Sequence, residues 1–173
     1  MSSPFLLAPV VRFAVVSGVL DAEQARVALD SVSRAGFDAM YVGDHVAFTG
    51  PINDPLLQVA YWAALAPKMN FGTGVYLLPL RHPTLVAKMV ATVDRLLGPG
   101  RFIFGVGVGG EFAREYEACG VPIRQRGGRA NEAIEVLRRL WTEPKVAHRG
   151  KYFSFGEIAM QPKPATPGGP PIW

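Results

Sequence analysis

One order of signals recurs four times along this chain: a short β-branched or aromatic run, a polar break, then apolar residues at helical spacing closed by glycine or proline. Alternating strands and helices cannot bury both element types unless the strands lie side by side in parallel, with the helices over the sheet. The first unit passes from a strand over 11–16 into a helix opened by Asp21, with Gln24 as its capping-box partner, and closes at Gly36. Its buried stripe is Ala25, Ala28, Leu29 and Val32. The second has a strand over 39–42, the break Gly43-Asp44-His45, and a helix begun by Asp54-Pro55 with Leu56, Val59, Ala60 and Ala63 inward.

In the third unit a strand over 71–78 leads through Arg81-His82 to a helix from Pro83. The predicted core face of that helix is Leu85, Val86, Met89, Val93, Leu96 and Leu97, and Gly98-Pro99-Gly100 ends it. The fourth starts with the glycine-rich strand from Arg101, crosses an acidic segment from Glu111 to Glu117, and ends in a helix striped by Ala130, Ala133, Ile134, Leu137, Leu140 and Trp141. Beyond Pro144 the pattern changes. Residues 144–160 read as a small antiparallel hairpin around Arg149-Gly150-Lys151, residues 161–171 as a proline-stiffened connector, and Ile172-Trp173 as the start of a fifth strand.

The fold class is therefore α/β, a single domain over 1–173 built as a partial (β/α)8 barrel. A complete barrel takes about 250 residues, so 173 residues supply four units, a half barrel. Two open parallel edges would then be exposed, and the chain is expected to form a homo-oligomer or to self-associate through them.

A hydrophobic share of 49% against 18% charged residues is that of a globular chain with a core. The apolar stretch Phe5–Val11 is far shorter than the roughly 20 residues of a bilayer span. With no basic leader before it and a lone Cys119 that cannot form an internal disulfide, the expected location is cytoplasmic, with no membrane partner. The net charge of +4 suits an anionic small molecule, and the Arg-Gly cluster from Arg124 to Arg129 lacks the interleaved aromatics of a nucleic-acid binder.

Functional residues in parallel α/β sheets stand at the carboxyl ends of the strands. Those ends carry Ser17, then Asp44-His45, then Thr73-Gly74-Val75 with Arg81-His82 beyond, then Gly107-Val108-Gly109. His45 exchanges protons near neutral pH, and Asp44 either fixes its tautomer, contacts a ligand or caps a turn. No metal-ligand spacing accompanies the pair. The glycines from 105 to 110 strip side chains from a strand end, which suits either a tight turn or a ledge for a ring or phosphate, and their spacing is not that of a dinucleotide loop. Arg124, Arg126 and Arg129 call for anions, either Glu111, Glu115 and Glu117 or a ligand.

Taken in order, Gly43 to His45, Phe71 to Val75, Arg81 to Pro83, Asp94-Arg95, Gly100 to Gly109, Gly120 to Pro122 and Arg126-Gly127 resemble the luciferase-like monooxygenase family. Leu137 to Thr142, Gly150 to Phe153, Pro162 to Pro164 and Pro170 to Trp173 continue the resemblance. It implies a (β/α)8 barrel that binds coenzyme F420, the preferred cofactor, or FMN, and oxidises or reduces a small organic substrate by hydride transfer or monooxygenation. By the same resemblance His45 and Asp44 are catalytic, while Gly74, Val75, Gly107, Val108 and Gly109 hold the cofactor, with Gly74-Val75 at the family's non-proline cis peptide; their place at strand ends adds Ser17, Asp44 and Thr73 to the cofactor-binding set. Gly110 fills a place where some F420 enzymes carry a catalytic glutamate, and Glu111 is displaced from it by one residue. The alternatives are a truncated, non-catalytic flavin-binding or scaffold protein, and a phosphate-handling barrel lyase or isomerase, for which no catalytic lysine stands at these strand ends.

Overall fold

The computed structural model describes residues 12–173. The Phe5–Val11 stretch lies outside them. Strands β1 (Ala14–Val16), β2 (Ala39–Val42), β3 (Asn70–Thr73) and β5 (Phe102–Ile103) form a parallel sheet in the order β1-β2-β3-β5. Because spatial order follows chain order, crossovers of the usual right hand place every helix on the same side, which makes a curved barrel wall and not a doubly wound sheet. Strand β4 (Tyr76–Leu77) lies between β3 and β5 in sequence and pairs in parallel with β6 (Val106–Gly107).

The third strand predicted over 71–78 is thus two strands, parted at Gly74-Val75 by a cis peptide, and Leu78 belongs to a 3-10 turn over 78–80. The four helix-bearing units are those read from the sequence: α1 (Ala22–Arg34), α2 (Pro55–Leu65), α3 (Pro83–Leu97) and, after the short α4 (Ala113–Ala118), α5 (Arg126–Thr142). The chain is a half barrel.

Local chemistry sets the helix starts. Asp21 Oδ1 accepts the Gln24 amide at 2.8 Å, and the Gln24 side chain reaches back to the Leu20 amide at 3.0 Å, one residue earlier than a capping box requires. Asp54 Oδ1 caps Leu56 and Leu57 at 3.0 and 3.1 Å, with Pro55 pre-set for the first turn. The predicted core face of α3 needs correction. Leu85, Met89 and Leu96 are exposed, while Val86, Ala87, Val90, Ala91, Val93, Asp94 and Leu97 are buried, because the face packed between α2 and α5 is the one with small side chains. Ile134 is only half-buried, and Val136 is buried in its helix.

Strands β7 (Val146–Arg149) and β8 (Ser154–Ile158) pair antiparallel within the hairpin read over 144–160. Glu132 on α5 clasps their turn, accepting the amides of Tyr152 and Phe153 at 3.0 and 2.8 Å and His148 Nε2 at 3.1 Å. The connector is strapped down along its length. Lys163 Nζ donates to the Leu140 carbonyl at 2.6 Å, and fully buried Asp94 accepts the Thr166 amide and hydroxyl, each at 2.7 Å. Its end pairs beside β5 and β6 through Phe104 N to Pro171 O at 2.9 Å, Trp173 N to Phe104 O at 3.1 Å and Val106 N to Trp173 O at 2.8 Å. A fifth strand begins there.

Candidate active site

Chain leaving β2 sends consecutive residues to different partners. Asp44 is buried; its carboxylate pairs with Arg81, whose Nη1 bonds Oδ2 and whose Nη2 bonds Oδ1 at 2.8 Å, and it accepts the Leu77 amide at 2.8 Å. Arg81 also lies 3.6 Å from Asp54 at the head of α2 and covers the Tyr76 ring at 4.4 Å. Neither role proposed for Asp44 toward His45 or a ligand finds support in these contacts. Asp44 joins β2, β4 and α2 instead.

His45 turns the other way. Its Nδ1 stands 3.1 Å from both carboxylate oxygens of Glu115, in α4. Oε1 of the same carboxylate accepts the amides of Val46 and Ala47 at 2.8 and 2.9 Å. Burial alone would push the Glu115 carboxyl up, but the bonds from the Ala47 amide, the His45 ring and the Val46 amide outweigh it and hold it below the usual carboxylate range. The His45 ring is stacked on Phe48, 4.2 Å between centroids at 16°, and meets the edge of Phe112 at 5.4 Å.

From sequence Glu115 enters only as an anion for the arginines at 124, 126 and 129, and not as a partner of His45. The signal was available: Phe112, Glu115 and Tyr116 fall at i, i+3 and i+4, so one short helical face just after the glycine strand carries a carboxylate between two aromatics.

The other strand-end residues divide into buried ties and an open surface. Thr73 is buried, its hydroxyl bonded to the Gly105 carbonyl at 2.7 Å, so it links β3 to the glycine strand and does not face the rim. Ser17, half-buried, gives its amide to the Tyr41 carbonyl at 2.9 Å. A Cβ on Gly74 would come within 3.7 Å of Val16 Cγ2, which brings the end of β1 to the cis peptide. Val16, Val75 and Val108 remain open, at 62%, 43% and 39% exposure.

The glycines serve the chain's own packing. A Cβ on Gly105 would strike the Thr73 carbonyl, one on Gly107 the Val75 side chain, and Gly109 has φ of +53° beside Leu77. What approaches that backbone is the neighbouring strand, and the ledge it builds is the apolar pair Val75 and Val108. Tyr116, next to Glu115, donates its hydroxyl to the Val108 carbonyl, so α4 ties the ledge to the His45 dyad.

The arginine cluster does not pair with the acids. Among the described residues none of Arg124, Arg126 and Arg129 forms an ion pair: Arg126 bonds the Ile123 carbonyl at 3.2 Å and lies over Gly110, while Arg129 covers the Phe153 ring at 4.7 Å. His82 caps α3, and burial followed by the charge of Arg129 keeps its imidazole below the usual range.

The chain is 32% identical over 139 residues to a 4-hydroxyprotoasukamycin monooxygenase of Streptomyces nodosus subsp. asukaensis, covering 79% of this chain and 37% of that protein. It is 30% identical over 152 residues to an F420-dependent glucose-6-phosphate dehydrogenase of Kineococcus radiotolerans, covering 79% of this chain and 44% of the other. Among solved structures it superposes on the monooxygenase RslO1 from Streptomyces bottropensis with a TM-score of 0.79 at 26% identity, over 87% of this chain and 46% of that one. The chain spans less than half the length of each of these relatives. Residues 10–173 match the family as a whole, and the chain belongs to the luciferase-like monooxygenases.

Proposed function

We propose that this half barrel forms the cofactor side of an oxidoreductase site that holds the ring system of coenzyme F420 or FMN and acts on a small organic substrate. The observation that carries the reading is the open apolar ledge of Val75 and Val108, bound through Tyr116 and Glu115 to a histidine at the same rim. A flat heteroaromatic ring fits such a surface, since apolar lining with few polar groups is what ligand pockets present. Relatives at 30% identity or above are described as an F420-dependent dehydrogenase and as flavin-dependent or other monooxygenases, which supports either cofactor.

A bound deazaflavin supplies hydride transfer, and a bound flavin adds oxygen chemistry. The chain's own residues do the rest. Val75, packed against Gly107, and Val108 would hold the ring, and Val16 and Ser17 would line the neighbouring edge. His45 would hold or move a proton beside the ring; the preference for F420 over FMN rests on the resemblance to the F420-using branch of the family. The reading keeps the cytoplasmic location expected from the sequence.

Titration of the purified chain with F420 and with FMN, followed by cofactor fluorescence, tests the proposal. We expect saturable binding of one of them, weakened at least tenfold by Val75→Asp or Val108→Asp. Absence of saturable binding, or variants that bind as tightly as the parent, overturns it.

A further inference from the structure

We propose that Glu115 is the positioning residue of this site: its carboxylate fixes His45 as the Nδ1–H tautomer and leaves Nε2 as the proton-exchanging end. The inference deepens the reading above and rests on it for the identity of the site, but not for the state of the ring.

Glu115 is 1% exposed, and among the described residues its carboxylate's hydrogen bonds come from one segment: the His45 ring, the Val46 amide and the Ala47 amide. Backbone amides only donate, and an ionised carboxylate only accepts. Hydrogen bonding to those amides holds the carboxyl in its charged form, so the atom facing it at 3.1 Å, Nδ1, must carry a proton. In a neutral imidazole the second nitrogen then holds the lone pair.

Nε2 has no hydrogen-bond partner among the described residues, and the side chain is 19% exposed. Phe48 and Phe112 hold the ring plane from its face and its edge, so the lone pair has one direction. Asp44, next in the chain and the first residue one would choose for this task, is engaged by Arg81, and Arg81 by Asp44 and Asp54. Among the described residues Glu115 is therefore the charged side chain in hydrogen-bond contact with the ring.

Glu115→Gln removes the charge and puts a donor in place of one oxygen. The glutamine carbonyl oxygen would stay with the Val46 and Ala47 amides, at the place where Oε1 accepts both, and its NH2 would face Nδ1. Oε1, 3.1 Å from Nδ1 and already taking both amides, is then the one acceptor left beside the ring, and the NH2 in place of Oε2 repels a proton on Nδ1, so the population shifts toward Nε2–H. Two-bond 1H–15N NMR of 15N-histidine-labelled, cofactor-free protein at pH 8.5 reads the tautomer. The His45 signals are identified by their loss in His45→Gln, the chain having 3 histidines.

The expected result is a majority of Nδ1–H in the parent, inverted to a majority of Nε2–H in Glu115→Gln, with Glu115→Asp returning toward the parent. A parent that is mostly Nε2–H overturns the proposal by itself, even if the glutamine variant fails to fold. Equal tautomer populations in parent and folded Glu115→Gln also overturn it. Failure of cofactor binding would leave this spectrum unchanged, so the two readings fail separately.

Discussion

Asp44 and His45 stand side by side in sequence and apart in their contacts, and the reason is local. Where chain leaves a strand without entering a helix, successive side chains turn to different sides, so Asp44 goes under the rim to Arg81 while His45 stays on it. Adjacent letters suggested a pair that the backbone separates. The true partner, Glu115, lies 70 residues on, and a contact of that range leaves no mark on local spacing. The Asp44–Arg81 pair makes a test at this scale. Removing one member of a buried ion pair strands the other and costs roughly 3–5 kcal/mol. In a chain of this length each kcal/mol moves Tm by about 2–4 °C, so Asp44→Asn should melt roughly 10 °C below the parent by circular dichroism. A fall of less than about 2 °C would show that Asp44 does not hold this end of the barrel together.

The hairpin shows what is gained when an element is read together with what holds it. Its existence was legible from two β-branched and aromatic runs around a glycine turn; its clasp was not, because Glu132 sits in a helix that looks like any solvated face. The same limit explains α3. Hydropathy favoured Leu85, Met89 and Leu96, but the partner helices accept only a small-residue face, and the identity of those partners is tertiary information. Glu132 carries the pH prediction. Burial would push its carboxyl up, yet the bonds from the Phe153 amide, His148 and the Tyr152 amide hold it below the usual range. A carboxyl lower in the folded than in the unfolded state contributes stability that is fully present above about 4.3 and is lost as pH falls through the folded value. Hydrogen exchange should therefore show Lys151 to Phe153 protected at pH 6, and that protection collapsing below about pH 4 before the barrel strands open. Glu132→Gln should remove most of it at pH 6. Protection unchanged by pH or by the substitution would mean that the hairpin is held by its own ladder alone.

At the scale of the whole molecule, two unsatisfied edges were expected and the structure alters one of them. Beside β5 and β6 the segment 171–173 already supplies three backbone hydrogen bonds, so that side presents a nascent fifth strand and not bare glycine backbone. At β1 no strand pairs on the outer side among the described residues, and Phe13 and Val16 are exposed beside it. We propose that the chain self-associates by bringing the β1 edge of one copy against the 172–173 edge of another, both being parallel edges of one curved wall. The exposed leucines of the helical layer, Leu57, Leu85 and Leu96, offer a different contact. Sedimentation velocity across a hundredfold concentration range separates the two routes. An edge contact predicts a mass that rises with concentration and is returned to the monomer value by a charge placed on an edge, as in Phe13→Lys or Trp173→Lys, while Leu85→Glu leaves it unchanged. A monomer at every concentration, or an oligomer dissolved by Leu85→Glu and untouched by the edge variants, would remove the edges from the account and place any association on the helices.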